Sequence, residues 1–245
     1  STSPGGFKRP PKRYQPRGLE ILYEDRDVLV VDKVHGLLTV STERVQEETA
    51  YFLLNEYVRK GNSKSHNRVF IVHRLDRDTS GVLLFAKSEN AKLFLQDSWQ
   101  GFEKKYLAVV HGSLQAKEGL ISSHLAENSI HRMYSVSNPR KGKLARTGYR
   151  VLRESAKYSL LEIDLLTGKK NQIRVHLADK GCPVAGDKKY GDKARDKNIT
   201  RLTLHSASLT FVHPFSKETV NISTGIPPYF EYLMGRTRRR HEERS

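Results

Sequence analysis

Asp76 and Asp78 stand two residues apart in His73-Arg-Leu-Asp-Arg-Asp-Thr-Ser-Gly81, a polar run that also carries Arg74 and Arg77. Carboxylates at this spacing support several chemistries. They bond turn amides, the ordinary work of loop aspartates, although that leaves the neighbouring cations unexplained. With Ser80 and Gly81 they match the first, third, fifth and sixth positions of a calcium loop, but the twelfth position, which needs a bidentate Glu, is Lys87. A two-carboxylate hydrolase would need a partner acid that primary sequence does not place. Other metal sites are not expected: Cys182 is the single cysteine, and the ten His include no H-x-x-x-H pair on a predicted helix.

The stretches flanking this run, residues 69–72 and 81–86, are apolar enough to be buried strands, which makes residues 74–80 a loop held by core elements. Further strands are predicted at 19–23, 28–31, 36–40, 105–110, 119–124, 145–152, 158–166, 202–211 and 219–223. Residues 47–60 place Ala50, Leu54, Tyr57 and Val58 on one helical face, with acids in the first turn and Gly61 as a stop. Ser88 caps a predicted helix over 89–100, another covers 172–179, and a last one follows Pro227. Helices do not alternate regularly with strands, so the fold class is α+β rather than doubly wound.

The chain has 245 residues, 37% of them hydrophobic, which suits one soluble domain. No apolar run approaches the ~20 residues a bilayer requires, so no membrane span is expected. Residues 1–18 show no secretory pattern, and one cysteine excludes an internal disulfide; a cytoplasmic monomer is the expectation. Lys and Arg outnumber Asp and Glu by 43 to 27, leaving a net charge of +16 that favours nucleic acid as partner. Three segments hold +15 of it: 1–18, 236–245, and 128–153, whose seven cations face no acid. The first reads as a flexible basic arm, residues 19–235 as the globular domain, and 236–245 as a basic tail.

The run from His73 to Gly81 resembles the nucleophile loop H-R-L-D-x-x-T-S-G of RluA-type pseudouridine synthases, matching over all nine positions. Four further blocks follow the family's order. Ile21-Leu-Tyr-Glu-Asp-Arg-Asp-Val-Leu-Val-Val-Asp-Lys33 is similar to its opening strands and Lys104-Lys-Tyr-Leu-Ala-Val-Val110 to its tyrosine motif. Thr167-Gly-Lys-Lys-Asn-Gln-Ile-Arg-Val-His-Leu177 with Gly186-Asp-Lys-Lys-Tyr-Gly191 is similar to its arginine motif, and Leu204-His-Ser-Ala-Ser-Leu-Thr-Phe-Val-His-Pro214 to its closing strand. The sequence departs from the family at Val34, where proline is common, and the 18 residues before Leu19 leave no room for the extra RNA-binding domain of many members.

The resemblance implies a bent, mixed, mainly antiparallel sheet with flanking helices and a central active-site cleft, and an isomerase that converts uridine in rRNA or tRNA to pseudouridine without cofactor or metal. It implies Asp76 as nucleophile, Arg174 as its ionic partner, and Tyr106 as the ring that packs on the flipped base and takes part in C5 deprotonation. Arg74 is implied to fill the gap left by the extruded base. His73, His176 and His205 read as structural. Arg132, Arg140, Lys141 and Lys143, lying between the tyrosine and arginine motifs, are expected to grip RNA from an insertion or hairpin beside the cleft. Two other readings compete: an RNA-binding or ribosome-assembly factor of the same fold that has lost catalysis, against which Asp76, Tyr106 and Arg174 together argue, and a glycoside-cleaving enzyme that would release free base.

Overall fold

The computed structural model describes residues 7–41 and 48–235; residues 1–6 of the predicted arm, the start of the helix predicted from residue 47, and the whole tail 236–245 lie outside the described residues. Strands β1 (Leu19–Glu24), β2 (Val28–Lys33), β3 (Phe70–Ile71), β4 (Ser80–Ala86), β5 (Glu103–His111), β6 (Glu118–Glu127), β7 (Met133–Val136), β8 (Lys143–Glu154), β9 (Tyr158–Leu165), β10 (Leu204–Val212) and β11 (Thr219–Ser223) form one sheet. Its order is β1-β2-β4-β10-β5-β9-β8-β6-β7, with β3 beside β4 and β11 beside β10. Four α-helices flank it: α1 (Ala50–Arg59), α2 (Glu89–Ser98), α3 (Gln172–Asp179) and α4 (Pro228–Leu233). The sheet is mixed and mainly antiparallel, because β4 and β10 alone run parallel.

Burial on both faces explains the uninterrupted apolar runs of β2 and β4. On one face Val28, Val30, Val82 and Leu84 pack against Ala91 and Leu95 of α2. Leu29, Val31, Leu83 and Phe85 meet Ala50, Leu54 and Val58 of α1 on the other. The second half of the sheet repeats the plan: α3 lays Ile173 and Leu177 on Ala108, Val110, Leu161 and Ile163, while Phe230 of α4 packs on Leu107, Val109 and Leu160 from behind. Each aliphatic side chain so enclosed contributes about 1.5–3 kcal/mol over leaving it in water.

The two halves pair through two residue pairs only, His205 with Ser80 and Ser206 with Gly81. Beyond them β4 turns to β3 (Phe70 with Ala86) and β10 turns to β11 (Ser208 with Ser223), so the strands diverge. Gly81 makes the contact possible. Its φ is +114°, and a Cβ placed there would lie 2.1 Å from the Ser206 carbonyl oxygen.

Several sequence expectations change in detail. Residues 36–40 make no strand but a single bridge between Leu38 and Thr49, and 69–72 shrink to Phe70–Ile71. Helix α1 starts at Ala50 because the Thr49 side chain accepts the Phe52 amide; no acid occupies its first turn. Helix α2 has the predicted Ser88 cap, then tightens to a 3-10 turn at Trp99–Gly101. Strand β7, whose Met133-Tyr-Ser-Val sits inside the basic segment, is absent from the sequence reading. The described part of the predicted arm lies against the body: Phe7 meets the Tyr23 ring, Arg9 pairs with Glu20, and the Gln15 side chain bonds both Pro10 and Ile21 backbone.

Gly81→Ala is expected to cost about 2 kcal/mol or more through clash and strain, lowering the melting temperature by roughly 5 °C. A thermal unfolding curve within a degree of the unsubstituted protein would contradict the close-approach argument.

Candidate active site

A cavity of about 740 Å³ opens where the halves diverge, and Asp76, Arg74, Tyr106 and Arg174 all line it. Asp76 reaches it on a loop whose backbone is fixed from three sides. Thr39 Oγ1 donates to the Leu75 carbonyl (2.8 Å) and accepts from the Leu75 amide (3.2 Å). The Asp76 carbonyl closes a turn with the Thr79 amide, and the Arg77 carbonyl accepts from the Gly36 amide and from Lys33. Lys33, wholly buried, gives its ammonium to the carbonyls of Val34, Leu37 and Arg77 at 2.8–3.1 Å. Burial pulls that ammonium down to about 8, against the opposing pull of Asp78 and Asp76.

His73 begins the loop as an anchor. Its Nε2 accepts the Leu84 amide at 3.0 Å, which leaves the proton on Nδ1, and its ring stacks on Trp99 at 4.2 Å. Enclosure lowers it to about 3, so it is neutral and serves the packing. His205, lowered to about 4 by burial, joins Ser80 to Thr224, and His176 joins Thr147 to Ser123. All three histidines occupy structural places.

The second half of the sheet supplies the other two groups. Tyr106 lies on β5 opposite Ser206 of β10, itself a residue of the parallel junction. Enclosure pushes its phenol up to about 12, with a hydrogen bond between it and Ser206 opposing the rise and Asp76 adding to it. Arg174 lies on α3, whose first residue, Gln172, ties the preceding loop to β8 through Thr167, Lys169 and Thr147. Its Nη1 is 3.5 Å from Asp76 Oδ2.

That contact is the weaker of two. Arg174 grips Asp187 with a fork, Nε to Oδ2 and Nη2 to Oδ1, both 2.7 Å, and Nη1 donates to Asn171. The Asp187 side chain is fully buried and also accepts the Lys189 and Tyr190 amides. Burial works to raise its pKa, but the Arg174 bonds and these amides outweigh it and hold the carboxyl below 3.8. For Arg174 burial likewise opposes charge, and the bonds to Asp187 win, keeping it above its ordinary value. Tyr190 roofs the guanidinium at 5.2 Å. Asp187 therefore fixes the fork and leaves Nη1 toward Asp76. The sequence motifs assign Asp187 no role; its one signal is an acid between glycines in the arginine block.

The predicted RNA contacts divide. Arg74 is exposed on the cavity wall and has no hydrogen-bond partner among the described residues. Arg132 donates to the Lys189 carbonyl and covers the Tyr190 ring at 4.7 Å, beside the Arg174 fork. Arg140 and Lys141 sit in the 3-10 turn joining β7 to β8, with Lys143 starting β8; all three are exposed and none lines the cavity. Lys169, Lys170 and Lys104 do line it, although the sequence reading gave them no role. Asp25, Asp27 and His213 approach one another, but the Asp25 carboxylate already accepts Tyr23, the Asp27 and Val28 amides and His213. No described helix is long and apolar enough to cross a membrane.

Residues 27–179 match the family described as RNA pseudouridylate synthase. The chain is 34% identical over 235 residues to tRNA pseudouridine synthase C of Haemophilus influenzae, covering 88% of this chain and 96% of that protein. It is 32% identical over 225 residues to ribosomal large subunit pseudouridine synthase C of Vibrio cholerae, covering 89% and 69%. Among solved structures, human RNA Pseudouridylate Synthase Domain Containing 1 superposes with a TM-score of 0.70 at 27% identity, covering 88% of this chain and 86% of that one.

Asp187→Ala strands the Arg174 charge and is expected to cost about 3 kcal/mol in urea unfolding at pH 7. The sign with pH follows from the depressed carboxyl: its stabilisation is whole above an unfolded value near 3.8 and is lost as pH falls through the lower folded value. Asp187→Asn should therefore lose less stability than the unsubstituted protein across that acid range; parallel acid limbs would contradict the assignment.

Proposed function

The chain belongs to the RNA pseudouridylate synthase family, and we propose that it isomerises uridine in structured tRNA or ribosomal RNA with Asp76 as the nucleophilic carboxylate and residues 19–235 as the catalytic unit. The observation that supports this reading is the convergence, on one cavity, of Asp76 from the first half of the sheet with Tyr106 and Arg174 from the second. The names of the two bacterial relatives supply the RNA classes.

The reaction breaks the bond from uracil N1 to ribose C1′, turns the ring, joins C5 to C1′, and moves the C5 proton away while N1 gains one. No electrons are exchanged with an outside partner. Asp76 attacks or stabilises the electron-poor centre created as the N-glycosidic bond breaks, and Arg174 holds the carboxylate charged and aimed. Because Asp187 already occupies the two-nitrogen edge of Arg174, the 3.5 Å contact to Asp76 is loose enough for the carboxylate to move to substrate.

Tyr106 supplies a ring on which the extruded base packs. Its phenol, raised to about 12, is protonated at neutral pH, so it takes the C5 proton only after giving up its own. Unstacking the target costs a few kcal/mol. Arg74 offsets part of it by filling the vacated place with a planar cation. Lys169 and Lys170, which line the cavity, and Arg132, Arg140, Lys141 and Lys143, which do not, draw in the phosphate backbone.

The test uses bulk tRNA and rRNA labelled with tritium at uracil C5. Label is expected to reach water without free uracil or chain cleavage, and Asp76→Asn should slow release by about a thousandfold or more. Tyr106→Phe keeps the ring and should retain RNA binding while losing at least about a hundredfold in rate. No release from either RNA would remove the reading.

Salt dependence checks the outer cations separately. Lys141→Ala with Lys143→Ala is expected to lower the slope of log affinity against log salt by about 1–2. Unchanged affinity and slope would place these lysines outside the RNA footprint.

A further inference from the structure

We propose that Lys104 holds a phosphate of the RNA chain beside the target nucleotide, at the Trp99 end of the catalytic cavity; the proposal rests on the reading that this cavity receives uridine in RNA. Lys104 precedes Tyr106 by two positions on β5. Strand periodicity therefore sends both side chains to the same face, and both line the cavity.

A buried ammonium needs compensation, and this one has little. Lys104 is 8% exposed. Its Nζ donates to the Trp99 carbonyl at 2.7 Å and lies 5.4 Å from the centre of the Trp99 ring. No carboxylate lies within ion-pair distance of it among the described residues, and two of its three N–H groups have no acceptor. Lys33 provides the contrast within the same molecule: wholly buried, it fills all three positions with carbonyls. Burial also lowers the pKa of Lys104, as expected of a cation enclosed without a counter-ion.

A purely mechanical role does not call for a charge. Tethering the 3-10 turn at Trp99–Gly101 needs one donor to one carbonyl, which a neutral group supplies. The unpaired donors point instead to an anionic acceptor that arrives with the substrate, and in RNA the anion is the phosphodiester. Exposed Arg74, which also lines the cavity and has no hydrogen-bond partner among the described residues, adds a second cation to it. The neighbouring His73, kept neutral by enclosure and by the Lys104 charge, does not compete for the anion.

Trp99 is the single tryptophan of the chain, so its fluorescence reports this end of the cavity. Titration with uridine and with uridine 3′,5′-bisphosphate measures the preference for phosphate directly, without requiring turnover. The unsubstituted protein should prefer the bisphosphate by about tenfold or more, Lys104→Met should lose most of that preference, and Lys104→Arg should retain most of it. Circular dichroism checks that Lys104→Met is folded; if it is not, Lys104→Gln takes its place in the same titration. An equal preference in the folded Met or Gln variant and the unsubstituted protein, or no preference in the latter, overturns the proposal. Failure of tritium release from RNA would instead remove the isomerase reading, so the two failures are distinguishable.

Discussion

Two residue pairs of parallel strand, Ser80 with His205 and Gly81 with Ser206, hold the proposed catalytic groups in register. Asp76 lies four residues before the junction on one side, and Tyr106 is the antiparallel partner of Ser206 on the other. A displacement of β4 along β10 would therefore move the carboxylate relative to the phenol. The same brevity creates the cavity, because strands that paired farther would close the space that the substrate needs. A backbone contact this tight is available only to glycine, which gives Gly81 a physical reason to end the loop.

Around that junction the interior uses charge in three different ways. Lys33 spends its three donors on backbone carbonyls and so fixes the loop below Asp76. The Arg174 and Asp187 pair is closed by a two-bond fork and two amides, which makes burial tolerable and gives the guanidinium one orientation. Lys104 is enclosed without either form of closure. The first two arrangements are complete in the free protein, and the third is complete only with a ligand anion.

Strand and helix assignments were legible wherever one residue set served one packing role. The apolar runs of β2 and β4 announced burial on both faces, and α3 occupies the predicted residues 172–179. Boundaries failed where tertiary contacts decide. Residues 36–40 have strand-like composition but find one bridge, since Lys33 and Thr39 are committed to the loop that carries Asp76. Strand β7 was hidden because Tyr134 and Ser135 are exposed on a hairpin and show no apolar alternation. In the site, the family motifs marked Asp76, Tyr106 and Arg174, but only coordinates reveal that the stronger partner of Arg174 is Asp187.

Net charge is an incomplete guide to where RNA is handled. The segment of highest positive density carries Arg140, Lys141 and Lys143 outside the cavity, exposed to solvent, where their fields act at a distance and salt screens them. The cations that line the cavity, Arg74, Lys104, Lys169, Lys170 and Arg174, belong instead to the motifs that carry the proposed chemistry. A charge in low dielectric acts strongly but over a short reach, whereas an exposed one acts weakly over a longer path. The outer set suits capture of a polyanion from solution, and the enclosed Lys104 suits holding one nucleotide in place after it has left the stack.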